Sequence, residues 1–187
     1  MKRHSNRSNR QTGFSLLEAV IAIVILSVGI LSLAAVYAQG IVVANLTQLD
    51  YIAEKKAEEA VETIFAARDS KILAWTNIRN VTGGGGASDG VFLVPAQPLL
   101  AAGPDGLFGT ADDDASQHDV VIAGPGPDGQ LGTNDDVVTP LTNMTRTITI
   151  ADVTGETSLR QITVTMTYTV GSQTRQYTLV SYISQFS

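Results

Sequence analysis

The chain contains no cysteine. That excludes disulfides, thiolate metal sites and cysteine nucleophiles. Histidine is nearly absent, with only His4 and His118, too few for a histidine-rich zinc site or a His-based triad. Charge is also scarce: 16% of the 187 residues are charged, where about 25% is usual for a soluble domain. The 44% of hydrophobic residues must therefore be concentrated somewhere. Positive charge is missing altogether from Asn80 to Thr145, a stretch that holds nine Asp. The net charge is −6 and the pI about 4.7. No broad basic surface is available for a phosphate backbone, so nucleic acid is not an expected partner. The length suits one domain, or one domain with an appendage.

What is present falls into zones. Residues 1–13 carry Lys2, Arg3, Arg7 and Arg10 and no acid. From Phe14 to Leu49 the only charged residue is Glu18. The apolar run over residues 14–38 exceeds the roughly 20 residues that cross a bilayer as a helix. It is too long for the core helix of a domain this size. It is also longer than a signal-peptide core, and no small-residue cleavage site follows it. Basic residues precede the run and none follow until Lys55, so the charge step predicts a cytoplasmic N-terminus and an exported remainder. Glu18 breaks the apolar pattern. A carboxylate at the bilayer centre costs ~2.5–3.5 kcal/mol on insertion scales. Either its place near the start of the run makes it tolerable at the interface, or it has a cationic partner. A cut between Gly13 and Phe14 would create a free amine one helical turn away.

The stretch Gly13-Phe14-Ser15-Leu16-Leu17-Glu18, between a short basic leader and a long apolar helix, resembles the type IV prepilin signature. That family comprises pilins, minor pilins and type II secretion pseudopilins. The resemblance is close over residues 1–45 and architectural beyond. It implies that a prepilin peptidase cuts after Gly13 and methylates the new Phe14 amine. It implies that Glu18 aids recruitment and register among other pilin subunits. It also implies residence in the bacterial inner membrane before assembly into an extracellular pilus or a periplasmic pseudopilus. Residues 25–35, ILSVGILSLAA, look most like PilV-type minor pilins. Where major pilins commonly carry a kinking proline, this chain has Ala35, which favours a straighter helix and a minor-pilin or pseudopilin role.

Beyond the apolar run, Leu46, Leu49, Ile52, Ala53, Ala57, Ala60, Val61, Ile64 and Phe65 recur at three- and four-residue steps, with Lys55, Glu58, Glu59 and Glu62 opposite. This predicts an amphipathic helix over 41–80 that continues the membrane/assembly helix over 14–40. The unbroken helix, from about Phe14 to about Ala67, would be ~80 Å long. Lys71, Trp75 and Arg79 extend it or form a short second turn, and Trp75 reads as core packing. Four glycines at 83–86 open a Gly/Asp-rich loop region over 81–142, with short strands expected at Val91–Val94 and Val120–Ile122. Residues 143–187 read as an antiparallel sheet. Ile162, Val164, Met166, Tyr168 and Val170 alternate with Thr163, Thr165, Thr167 and Thr169, the period of a half-buried strand. Gly171-Ser172 is a turn, Arg175–Ile183 a returning strand and Thr145–Ile150 a third. Three strands with one apolar face need a cover, and the amphipathic helix supplies it. The fold class is α+β: a long helical spine on an antiparallel sheet, pilin-like in architecture. Asn45, Asn80 and Asn143 head Asn-x-Thr triplets that read as chance.

Two segments repeat at an offset of 23 residues, Gly103–Asp113 and Gly126–Asp136, identical at eight of eleven positions. Two copies argue for shared chemistry. Pro-Asp-Gly makes a tight turn. A second glycine, Gly109 or Gly132, allows a further bend that returns two Asp towards the first. Asp105, Asp112 and Asp113 form one candidate set, and Asp128, Asp135 and Asp136 the other. Thr110, Thr133 and Asp114 are weaker candidates. Carboxylates and carbonyls suit six- to eight-coordinate Ca²⁺, and no neighbouring Lys or Arg in the sequence relieves their repulsion. The hard oxygen set argues against zinc or copper. The loops lack EF-hand spacing but resemble the Gly/Asp-rich calcium loops of some pseudopilin heads; the alternative is a pair of solvated turns. Ca²⁺, one or two ions, is the expected cofactor, in a structural role.

No base–nucleophile pair stands out, so the expected class is a non-enzymatic fibre subunit, a type IV pilus minor pilin. A type II secretion pseudopilin is the near alternative. A membrane-anchored calcium-binding domain that never polymerises is the distant one.

Overall fold

The computed structural model describes residues 15–83, 89–171 and 173–186. One helix, α1 (Leu16–Asp69), runs for 54 residues. It contributes to two units, residues 1–44 and 45–187. In the first unit every described residue is solvent-exposed, the large aliphatic ones included. The chain has no proline or charged residue between Glu18 and Leu49, so the backbone hydrogen bonds of this stretch continue without a break.

In the second unit α1 becomes one-sided. Leu46, Ala53, Ala57, Ala60, Val61, Ile64 and Ala67 are buried, and Lys55 and Glu62 are exposed. The three- and four-residue steps put the buried side chains on one stripe. The three alanines at 53, 57 and 60 carry little bulk, which suits close approach to the sheet. The helix stops at Asp69, close to the expected end near Ala67. Lys71 adopts a left-handed φ of 60°, and the Leu73 amide turns back to the Ala67 carbonyl at 3.1 Å. A left-handed residue cannot continue a right-handed helix. A single 3₁₀ turn, Trp75–Asn77, follows.

Among the described residues eight strands follow: β1 (Gln97–Pro98), β2 (Leu100–Ala101), β3 (Asp114–His118), β4 (Val120–Gly124), β5 (Val137–Pro140), β6 (Met144–Val153), β7 (Glu156–Val170) and β8 (Gln173–Ser184). The main sheet has the order β1-β6-β7-β8, all antiparallel. β2 pairs with β3, and β4 with β5, as two small hairpin-like sheets. The three strands expected in the C-terminal third are present and longer than their sequence cores, and β1 adds a fourth at the edge. The expected strand at Val91–Val94 reduces to an isolated bridge between Asn80 and Phe92. Phe92 is fully buried, so this segment is fixed by its side chain more than by a ladder.

The alternation read from β7 matches its packing: Ile162, Val164, Met166 and Tyr168 are buried. They join Met144, Ile148 and Ile150 of β6, Ile183 of β8 and the α1 stripe in one core. Each fully buried large side chain there contributes roughly 1.5–3 kcal/mol. Polar ties fasten the same layers. Tyr168 donates to Asp50 of α1, and Arg175 Nη1 lies 2.9 Å from that carboxylate. Arg68 donates to the Ser184 carbonyl at 2.9 Å.

Candidate functional site

The two acidic repeats fold to the same hydrogen-bond pattern. In the first, Asp105 Oδ1 accepts from the Leu107 amide at 2.8 Å, and Asp112 Oδ2 accepts from the Asp105 amide at 3.3 Å. Asp113 Oδ2 accepts from the Gly109 amide at 2.7 Å. In the second, Asp128 Oδ1 accepts from Gln130, Asp135 Oδ2 from Asp128 and Asp136 Oδ2 from Gly132. Thr110 and Thr133 each donate to the middle Asp, both at 2.7 Å. The glycines have distinct duties. Gly109 and Gly132 hold φ of 75° and 86°, a region that costs other residues strain. A Cβ at Gly103 would sit 2.3 Å from the Asp112 carbonyl oxygen, and one at Gly126 2.1 Å from that of Asp135. Only glycine lets each loop close on itself.

The closure brings Asp112 to Asp105, as the spacing implies, and holds Asp113 on the Gly109 amide and the Thr110 hydroxyl. Among the described residues no three His, Cys, Asp or Glu side chains gather in a group that could hold a metal ion. The electrostatics fit a carboxylate pair plus a third, separately held member. Burial, with help from the Asp112 charge, pushes Asp105 above the usual carboxylate range, whereas the Thr110 hydroxyl draws Asp112 below it. Burial also pushes Asp113 up, against the Gly109 amide, the Thr110 hydroxyl and the Arg146 guanidinium. The Thr133 hydroxyl holds Asp135 down. Asp114 is likewise held down, by the Ser116 hydroxyl, and its side chain is tied to Ser116 rather than to the loop.

The copies differ in setting. The first inserts Leu107, Phe108 and Thr110 into the core, at 2%, 7% and 4% exposure. The second presents Gln130 and Leu131 to solvent, with Leu131 67% exposed. The sequence places no cation near either loop, but the fold brings Arg146 of β6 close enough to influence Asp113.

At the other candidate site, Gly13 and Phe14 lie outside the described residues. Glu18 is exposed in the first turn of α1, where the positive end of the helix dipole favours an anion. Two serine hydroxyls inside the apolar run are satisfied within the helix: Ser27 donates to Ile23 and Ser32 to Val28, at 2.7 and 2.8 Å. Such back-bonding leaves neither of these serine hydroxyls free to face an apolar medium. The helix is long and apolar enough to cross a membrane.

Residues 8–34 match the family model of the prokaryotic N-terminal methylation motif. The chain is type IV prepilin-like. The prepilin-like segment and the long apolar helix together fit membrane anchoring, and the motif belongs to a family of structural subunits that assemble with other pilin subunits after prepilin peptidase processing. No curated protein and no solved structure matches this prepilin-like chain.

Several structural residues escape a reading of the sequence. Asn80, read there as part of a chance triplet, bridges two chain segments. Its amide donates to the Ile148 carbonyl at 2.7 Å, and its Oδ1 accepts from the Ile150 amide at 2.7 Å. Arg160 is 2% exposed, lies 4.2 Å from the Trp75 ring and donates to the Trp75 and Ile78 carbonyls. Trp75 is thus the packed residue its position suggested. An Arg at an inward position of an alternating strand was the available signal.

Proposed function

We propose that this chain is a minor pilin of a type IV pilus, a non-enzymatic fibre subunit. In this reading prepilin peptidase cuts after Gly13, Phe14 becomes the methylated terminus and Glu18 sets register against a neighbouring subunit. Before assembly the chain sits in the inner membrane with its N-terminus cytoplasmic. On assembly the apolar half of α1 exchanges lipid contacts for helix contacts. The observation that carries the reading is the methylation motif over residues 8–34, joined to a helix with one acidic residue in its first turn. The test is Glu18→Ala. The variant should accumulate in membranes at wild-type level and disappear from sheared filaments. Equal incorporation of variant and wild type would overturn the register role of Glu18, and absence of the wild type itself from filaments would overturn the fibre role and leave a non-polymerising anchored domain.

The repeats support a second reading, a type II secretion pseudopilin with calcium-stabilised loops. We propose that Ca²⁺ is held by Asp105 and Asp112 in one loop and Asp128 and Asp135 in the other. Asp113, Asp136 and backbone carbonyls would complete each set. What supports this is the hard-oxygen donor set, its duplication, and the absence of a salt bridge to any of the six Asp among the described residues. Uptake would require the loop carboxylates to reorganise, since each accepts backbone or hydroxyl hydrogen bonds in this structure. The ion would supply charge neutralisation and loop closure. Millimolar calcium should raise the melting temperature or slow proteolysis of the loops relative to chelator; identical behaviour in both would remove calcium from the account.

A further inference from the structure

Arg146 lies at an inward position of β6, between Gln97 of β1 and Met166 of β7 in register. It is 2% exposed, and its guanidinium stacks 4.3 Å from the Phe108 ring of the first repeat. Its Nε and Nη1 are buried and have no hydrogen-bond partner among the described protein atoms. A guanidinium stays charged in proteins, and unmet buried donors are costly. The carboxylates whose charge it feels are, in order, Asp119, Asp113 and Glu59.

Asp119, between β3 and β4, is lopsided. Its Oδ1 accepts from the Val120 amide and from Lys56 Nζ of α1, both at 2.8 Å. Its Oδ2 is buried and accepts from nothing among the described residues. Lys56 also pairs with Glu59 at 2.8 Å. The neighbourhood thus holds two cations, Lys56 and Arg146, and three anions, Glu59, Asp113 and Asp119. An added anion would face a net negative surround. A water molecule is neutral, accepts from a guanidinium and donates to a carboxylate.

We propose that a buried water bridges Arg146 and Asp119 Oδ2, making a solvent-mediated ion pair that latches the first repeat and the β3–β4 junction to α1. The latch joins four pieces of chain. Arg146 stacks on Phe108 of the repeat and is close enough to feel the charge of Asp113 at the repeat's end. Through the water it meets Asp119, and Asp119 holds Lys56 of the helix. The second repeat, with Leu131 exposed at the position of Phe108, has no ring-stacked arginine among the described residues.

Two measurements on the full chain in detergent test this. A density map that resolves ordered waters should place one within ~2.6–3.2 Å of Asp119 Oδ2 and of an Arg146 nitrogen. A direct Arg146–Asp119 contact without intervening solvent, or an Arg146 turned out to solvent, overturns the bridge. Thermal melts of R146M, D119N and the double variant test the coupling. The double variant should lose less than the sum of the two single losses. Purely additive losses overturn the latch. Should R146M fail to fold, R146K with D119N gives the same cycle: the ammonium keeps the charge but not the planar donor fork, so R146K should melt below wild type. An R146K melt equal to wild type overturns the role of the guanidinium donors.

Discussion

At the scale of single residues, side chains that reach across the fold do more than their sequence neighbourhood suggests. Asn80 holds the carbonyl of Ile148 and the amide of Ile150, so Asn80→Leu leaves both β6 groups short of a partner. The expected loss is about 1–3 kcal/mol, a melting temperature lower by roughly 3–10 °C for a chain of this size. Tyr168 is pushed up to about 12, chiefly by burial and then by its hydrogen bond to Asp50. The folded state therefore holds the phenolic proton more tightly than the unfolded chain. The stability this contributes is complete below the ordinary tyrosine value near 10. It is lost as pH rises from there through about 12. Tyr168→Phe should melt lower than wild type at pH 8, and its stability should fall less steeply between pH 10 and 12. Parallel pH profiles of the two would contradict this account of the Asp50 contact. Neither contact announces itself in the sequence, because the partner in each case is some 70 to 120 positions away.

At the scale of elements, periodicity carried most of the information. The three-and-four spacing of α1 and the two-residue alternation of β7 are direct consequences of backbone geometry, and both bury the side chains they specify. Ile64, fully buried on the α1 stripe, is the sharpest test of the helix as cover: Ile64→Ala should cost roughly 2–5 kcal/mol, read by thermal melting. The pattern placed the helix end near Ala67, within two residues of Asp69, but carried neither the positive φ of the non-glycine Lys71 that follows nor the edge strand β1, whose two residues are too few to show a period. The repeats were legible as turns because glycine, proline and aspartate have strong local preferences. Their difference in setting was not legible, since it depends on whether Leu107-Phe108 or Gln130-Leu131 meets the core. That difference makes a prediction. Gly103→Ala, which disturbs the loop that carries Leu107 and Phe108 inward, should lower the melting temperature. Gly126→Ala should leave it nearly unchanged while speeding proteolysis within residues 126–136. Equal melting losses for the two would mean that the second loop is anchored as firmly as the first.

At the scale of the whole molecule, the chain combines an apolar stretch that has no internal cover, over residues 15–44, with a folded unit built on the same helix over 45–187. Apolar surface on that scale calls for lipid or for other helices. A fibre subunit meets both in turn, first in the membrane and then in the assembled filament. The central claim is that this transfer follows a cut after Gly13. The most direct test is mass spectrometry of the chain in filaments sheared from cells. The account predicts a terminal peptide beginning at N-methylated Phe14. An intact leader through Gly13 would contradict it.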